Sequence, residues 1–242
     1  MKTLLTLLFS LLPFFLIAQC DTALYSYDYL SSYSPPCEDY EAFKGKYVHA
    51  QDAMAAAKYE EAIMYLEYTI GHCPCMTGKN IFIQAEKVYK VLEKKAIGSQ
   101  KIKLQDKLLA LYDLRIDYYG EKLKVLQKKG GVAYTFLMKR VDEEASIRTL
   151  DSLYTDIFNQ SGVIIKRSNL LFYADIISRK RLRGVITSEE QEEKLSLLIH
   201  RVDTIIVLKK GLGEDITKWV DTRKAIYATL PICDLRKEDR RR

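Results

Sequence analysis

The stretch from Phe43 to Met76, FKGKYVHAQDAMAAAKYEEAIMYLEYTIGHCPCM, decides the fold. It reads as two helices, Glu38 to Ala57 and Glu60 to Ile70, closed at His72-Cys73-Pro74-Cys75. Proline cannot continue a helix, so the second helix must stop before Pro74. One helix pair cannot bury its own apolar faces, so further pairs must stack on it.

Downstream segments supply them, because almost every one has helical periodicity and none alternates convincingly. Helices are expected over Asn80 to Lys95 (Ile83, Val88, Val91 and Leu92 inward) and Lys101 to Tyr119 (Leu104, Leu108, Leu111, Tyr112 and Tyr118). Gly120 and then Gly130-Gly131 are read as breaks around a short helix, followed by Val132 to Arg140, Ala145 to Phe158 and Asn169 to Arg181. Glu189 to Lys209 is the cleanest amphipathic pattern, with Leu195, Leu198, Ile199, Val202, Ile205 and Ile206 at spacings of three and four. A final helix near Asp215 to Leu230 is expected to bury Ile216, Trp219, Val220 and Tyr227. The fold class is therefore all-α, an array of roughly eight or nine paired helices.

The chain opens as an export signal. Lys2 is a short positive region and Leu4 to Ile17 an apolar run, of the roughly 7–15 residues such a signal needs. That run falls short of the roughly 20 residues of a membrane span, and no later stretch is long and apolar enough to be one. Residues 1–19 are read as signal peptide, 20–40 as an irregular cysteine-bearing lead-in, 41–232 as the helical domain and 233–242 as a basic tail. Cleavage is expected after Ala18 or Gln19. Gln19 is too large for the position before an acylated cysteine, so a lipid anchor on Cys20 is the alternative. Five cysteines, Cys20, Cys37, Cys73, Cys75 and Cys233, leave at least one without an intrachain partner. A Cys20–Cys37 bridge is natural, and a Cys73–Cys75 bridge across one residue would be strained; spacing does not choose between pairings.

The net charge of +6 suggests nucleic acid or an anionic surface, but its placement argues otherwise. Lys94-Lys95, Lys128-Lys129, Arg179 to Arg183 and Lys209-Lys210 each precede a glycine. Cations in a last helical turn complement the macrodipole, and glycine takes the left-handed stop. No nucleic-acid partner is expected.

The Phe43–Met76 stretch resembles one unit of a tetratricopeptide repeat. In that repeat a small residue of the first helix lets the second lie close, a Tyr-x-x-Ala step opens the second, and a proline ends the unit. The resemblance assigns these roles to Ala50, to Tyr59 with Ala62, and to Pro74, with Leu66 as the large knob. Ala85 lies thirty-five positions after Ala50, close to the roughly 34-residue period, so a degraded second unit begins near Asn80. Together with Leu111 to Glu121, Val125-Leu126, Leu171-Phe172-Tyr173-Ala174 and Thr187 to Glu190, the pattern resembles exported repeat proteins of Bacteroidetes-type bacteria. This resemblance implies a fold and a periplasmic or envelope location, and carries no activity.

Candidate functional residues follow from the same reading. The concave side of a helical array is its usual binding surface, which points to Tyr47, Gln51 and Met54 on the first helix; the plainer reading puts Tyr47 and Met54 in the core. Asp113 and Asp117, flanking Arg115, share one helix face among Tyr112, Tyr118 and Tyr119. They either receive a basic or polar ligand or pair with a neighbouring helix. A metal at His72-Cys73-Pro74-Cys75 would need about four tetrahedral ligands, which adjacent residues supply poorly, so no metal or cofactor is expected. Catalytic signatures are absent: there is no glycine-flanked serine, no His-Glu-x-x-His and no phosphate-cradling loop. The expectation is a non-enzymatic scaffold for a protein or peptide of the periplasm or envelope. An envelope thiol-exchange protein or enzyme using Cys73 and Cys75, and a lipid-anchored part of an outer-membrane assembly, stay open beside it.

Overall fold

The computed structural model describes residues 40–75 and 78–230. The export signal, most of the lead-in with Cys20 and Cys37, and the tail with Cys233 lie outside the described residues. Among those described, the protein is all-α, with nine helices and no strand. In chain order these are α1 (Tyr40–Ala55), α2 (Tyr59–His72), α3 (Asn80–Lys95), α4 (Gly98–Tyr119), α5 (Lys122–Leu137), α6 (Glu143–Ser161), α7 (Arg167–Leu182), α8 (Ser188–Gly211) and α9 (Thr217–Tyr227), with a 3₁₀ turn at Gly162–Ile164. The chain divides into two compact units, Met1–Lys122 and Leu123–Arg242.

In the first unit each helix packs on the one before it: α1 with α2, α2 with α3, and α3 with α4. The residues that the repeat resemblance singled out lie at the centre. Ala50, Ala62, Leu66 and Ala85 are all 0 % exposed. Alanine at these crossings lets the backbones approach, and Leu66, Phe82, Val88, Leu108 and Tyr112 fill the space around them. The α1–α2 turn closes in a Schellman arrangement, with the Lys58 N–H donating to the Ala53 carbonyl at 2.8 Å and Ala57 at φ +56°. Pro74 is buried after α2, and its carbonyl accepts a hydrogen bond from the Tyr119 hydroxyl at 3.0 Å, tying the end of α4 to the end of α2. Gly120, at φ +63°, ends α4 as expected.

Two helices of the second unit depart from the sequence reading. Gly130-Gly131 does not break the chain, because α5 runs through both. Leu126, Gly130, Ala133 and Leu137 form one buried stripe at spacings of four, three and four. Gly130 is a point of close approach: a Cβ there would lie 2.6 Å from Ile157 Cδ1 and 3.0 Å from Asn169 Oδ1. Lys128 and Lys129 are accordingly mid-helix rather than helix punctuation. The other departure is α9, which buries Thr222 and Ile226 and leaves Tyr227 exposed, with Trp219 and Val220 half-buried. Its inner face is fixed by the Arg167 Nε–H bond to Thr222 Oγ1 at 2.8 Å rather than by the bulkiest residues. Of the remaining punctuation in this unit, two marks are as read and one is shifted. Thr187 and Glu190 close a reciprocal capping box on α8. Gly184 takes φ +70° after α7, and the left-handed stop after α8 falls at Gly213 rather than Gly211.

Two adjacent glycines therefore have opposite roles. Gly130→Ala should destabilise the protein by about 1–2 kcal/mol, an overpacking cost partly offset by the better helix propensity of alanine. Gly131, with nothing within 4 Å of its missing Cβ, should gain about 0.5–1 kcal/mol on the same change. Urea denaturation of both variants tests this, and equal signs would remove the close-approach reading.

Candidate functional site

The first helices of successive pairs, α1 and α3, meet at a side-chain amide bridge. Gln51 Nε2–H donates to Gln84 Oε1 at 2.6 Å in a half-buried position. The bond uses one of the two N–H groups of Gln51 and one of the two lone pairs on Gln84 Oε1. Each amide therefore retains capacity for a peptide backbone. Tyr47, Gln51 and Met54 recur at spacings of four and three, so they share a stripe of α1. Ala50, three positions from Tyr47 and four from Met54, borders that stripe on its buried side, and the buried Ala53 lies further round the helix. Tyr47 and Met54 are half-buried, and Tyr47 packs on the buried pair Phe43 and Cys73. The three residues thus have partial access while leaning on the core.

The Asp113–Asp117 site has a different geometry. Both carboxylates are on the exposed side of α4, whereas Arg115 between them is 6 % exposed and donates to Glu121 Oε2 at 2.5 Å. Tyr112 and Tyr119 are core residues, and Tyr119 sits edge-on to Phe82 with ring centroids 5.7 Å apart. Tyr112 and Tyr119 therefore do not frame the two carboxylates, while Tyr118, half-buried beside Asp117, is the one of the three outside the core. Since α1 packs on α2 and α4 packs on α3, the α1 stripe and the α4 carboxylates are not brought together.

Sequence reasoning missed the charged lattice under this unit. Glu121 receives Arg115 and also Lys79, whose ammonium is 2.9 Å away. Burial alone would raise the Glu121 carboxyl, but these two cations prevail and hold it at about 2. Glu86, 4 % exposed, pairs with Lys90 at 2.7 Å. Glu67 of α2 accepts both the Tyr89 hydroxyl of α3 and, at 2.7 Å, the Lys107 ammonium of α4. Burial, then the hydrogen bond to Glu67, pushes the Tyr89 phenol well above its ordinary range. Glu93 holds Gln105 at 2.8 Å and Lys101 at 3.4 Å. Only the Glu86–Lys90 pair, at i and i+4, had a signal in sequence spacing.

A second lattice lies within Leu123–Arg242. Tyr134 stacks on Phe172 at 4.1 Å between centroids and donates to Asp175 Oδ2 at 2.7 Å. The same oxygen accepts Arg179 Nε–H at 2.6 Å, and Arg179 and Arg183 both reach Glu143. Burial first, then the hydrogen bond to Asp175, pushes the Tyr134 phenol up to about 12. Asp151 pairs with Lys180 at 2.5 Å. These groups neutralise one another and hold helices in place.

At the end of α2, Cys73 and Cys75 are both disulfide-bonded. Cys73 is 2 % exposed. Among the described residues no group of three or more histidine, cysteine, aspartate or glutamate side chains is placed to hold a metal ion. No described helix is long and apolar enough to cross a membrane. The chain matches no family model, no curated protein and no solved structure.

The Glu121 site makes a pH prediction. Its carboxyl lies below its ordinary value of 4.5 in the folded chain. Its stabilising contribution is therefore complete above about pH 4.5 and is lost as pH falls through about 2. Glu121→Gln should be less stable than the parent at pH 7, with the gap closing below pH 4.5. Urea titrations across that range, read by circular dichroism, measure it; a gap independent of pH would remove the charge argument.

Proposed function

We propose that this chain is a non-enzymatic helix-pair scaffold, tetratricopeptide-like in its first unit, that binds a protein or peptide in the periplasm or cell envelope. The observation that carries the reading is the Gln51–Gln84 amide bridge between the first helices of two successive pairs. Tyr47 and Met54 flank it on the same stripe of α1. A half-buried amide pair beside an aromatic ring and a thioether offers hydrogen bonds to a peptide backbone and apolar contact to its side chains. The spacing of the buried Ala50, Ala62, Leu66 and Pro74 supports the repeat-like part of the proposal. The export signal read in the sequence supports the location. An attacking thiol must be accessible, so the burial of Cys73 weighs against thiol exchange.

The test uses the chain from Cys20 as bait for envelope proteins of its host. The protein retained after a moderate salt wash is then purified and titrated against Gln51→Ala and Gln84→Ala variants. Loss of one hydrogen-bonding amide in a binding groove should weaken Kd by roughly tenfold or more, about 1–3 kcal/mol, with helicity unchanged. Equal affinity in parent and variants, or the absence of any retained protein, would overturn the binding face.

A further inference from the structure

The α1–α2 pair has a flank that α3 does not cover, and that flank is aromatic and cationic. Phe43, Lys46 and His49 recur every three residues on α1, and Tyr65, Tyr68 and His72 line the adjoining side of α2. Their rings form one continuous set. Phe43 stacks on Tyr68 at 5.7 Å, Tyr68 meets His72 at 4.3 Å and His49 meets Tyr65 at 5.5 Å. The Lys46 ammonium lies 5.3 Å from the Tyr65 centroid and 5.9 Å from that of Tyr68. On α2 the α3 side is marked by Glu67, which accepts the Tyr89 hydroxyl. Positions 65, 68 and 72 are rotated from it by roughly a third to nearly half a turn. Tyr68 is 42 % exposed and Met64 56 % exposed, with Tyr65 half-buried and Phe43 buried at the base of the flank. Among the described residues this flank is the outer face of the first pair, and the terminal pair of a helix array needs a cover for solubility.

Disulfide bonding originates at the same place. Cys73 and Cys75 are both disulfide-bonded, and Cys73 is buried against Phe43. The end of α2 therefore lies against the start of α1. Cys37 precedes the first residue of α1, Tyr40, by only three positions, a reach of about 10 Å. Cys20 lies a further seventeen positions back. That is enough chain to run along α1, about 24 Å for its sixteen residues, and return. The composition of this segment complements the flank. Between Lys2 and Lys44 there is no lysine, arginine or histidine, while residues 20–39 carry Asp21, Asp28, Glu38 and Asp39 with Tyr25, Tyr27, Tyr29 and Tyr33. A bond between Cys73 and Cys75 themselves would have to close over the single residue Pro74, whose ring fixes φ.

We propose that residues 20–39 are the cap of the helix array, docked on the Phe43–Lys46–His49 and Tyr65–Tyr68–His72 flank and held there by Cys37–Cys73 and Cys20–Cys75 disulfides. Each bond forms from two thiols, which release two protons and pass two electrons to a protein disulfide, reduced in turn to its dithiol. Cys233 is then the odd thiol. The cap borders the α1–α3 binding face at Tyr47, which packs on Phe43 and Cys73, but the disulfide map below tests it without reference to any bound partner.

Two measurements on the exported chain test it. Free thiols are blocked in acid and the chain is digested with trypsin without reduction. Cys20 and Cys37 then stay in one peptide ending at Lys44, Cys73 and Cys75 fall in Tyr59–Lys79, and Cys233 falls in Ala225–Arg236. The expected species is the first peptide joined to the second by two bonds, which further cleavage at the lead-in tyrosines resolves into the stated pairs. Either peptide bonded only within itself, or Tyr59–Lys79 joined to Ala225–Arg236, overturns the staple. Docking is read by diethyl pyrocarbonate. Against His200, exposed in the other unit, His49 and His72 should react about tenfold more slowly in the oxidised chain, as expected of a cover open about a tenth of the time. Equal rates for all three histidines overturn the docking even where both bonds are found.

Discussion

A buried or half-buried phenol favours a hydrogen-bond acceptor, and in this protein that acceptor repeatedly lies on another segment of the chain. Tyr119 of α4 reaches the Pro74 carbonyl beyond α2, and Tyr89 of α3 reaches Glu67 of α2. Within the second unit Tyr154 of α6 reaches the Gly130 carbonyl of α5 at 2.9 Å, Tyr134 of α5 reaches Asp175 of α7, and Tyr173 of α7 meets Thr155 of α6 at 2.9 Å. A leucine at any of these positions would bury comparable apolar surface and tolerate a slide along the neighbouring helix. A tyrosine cannot slide without stranding its hydroxyl in a dry interior. The helix pairs are thereby fixed in register as well as in contact. The chain has 17 tyrosines, and several that composition would assign to a binding surface are internal ties instead.

The ties are compatible with close packing because the crossings are small. At Ala50 and Ala62 the side chain is a methyl, and at Gly130 there is none. The Tyr154 hydroxyl reaches the Gly130 carbonyl because no Cβ stands beside it. Asn169, which donates to the Gln127 carbonyl at 3.1 Å, lies next to the same gap. Gln127 in turn accepts the Lys166 N–H at 2.6 Å and donates to the Ile164 carbonyl at 3.3 Å. This buried polar set gathers the end of α6, the 3₁₀ turn and the start of α7 around one glycine. Asn169 Oδ1 has no hydrogen-bond partner in this set, so the order around residue 130 rests on the bonds just named and on the close packing that its missing side chain permits.

What was legible in the sequence is what single-helix physics dictates. The apolar spacing of α8, the Thr187 capping box and the glycines at 120 and 184 each act within one helix or its adjoining turn, so the sequence carries them locally. Gly130-Gly131 misled because glycine signals both a stop and a close approach, and only the 126–130–133–137 stripe distinguishes the two. The face of α9 misled for a related reason. Trp219 and Tyr227 are its largest apolar groups, yet Thr222 turns inward because Arg167, fifty-five residues earlier, supplies its partner. The ionic lattices were opaque because their members are distant in sequence, as Lys107 is from Glu67 and Lys180 from Asp151. On the candidate binding face, the stripe of Tyr47, Gln51 and Met54 followed from helical spacing, whereas the Gln84 partner of Gln51 required the crossing of α1 and α3.

The same division bears on the charge. A chain with a net charge of +6 invites an anionic partner only where its cations project unopposed. Here Lys79, Lys90, Lys101, Lys107, Arg115, Arg179, Lys180, Arg183, Lys209 and Arg223 each face a carboxylate. Most of these pairs are at least partly exposed and individually weak, so their joint effect is to remove positive field from the surface rather than to add much stability. Lys46 is held differently, over the Tyr65 and Tyr68 rings. A cation held over aromatic faces keeps its full charge, since the rings attract it through their quadrupole without neutralising it. The flank around Lys46 is thus a place where this chain pairs positive charge with partly exposed aromatic surface. An acidic, tyrosine-rich segment matches both properties at once, whereas a nucleic-acid backbone would match only the first.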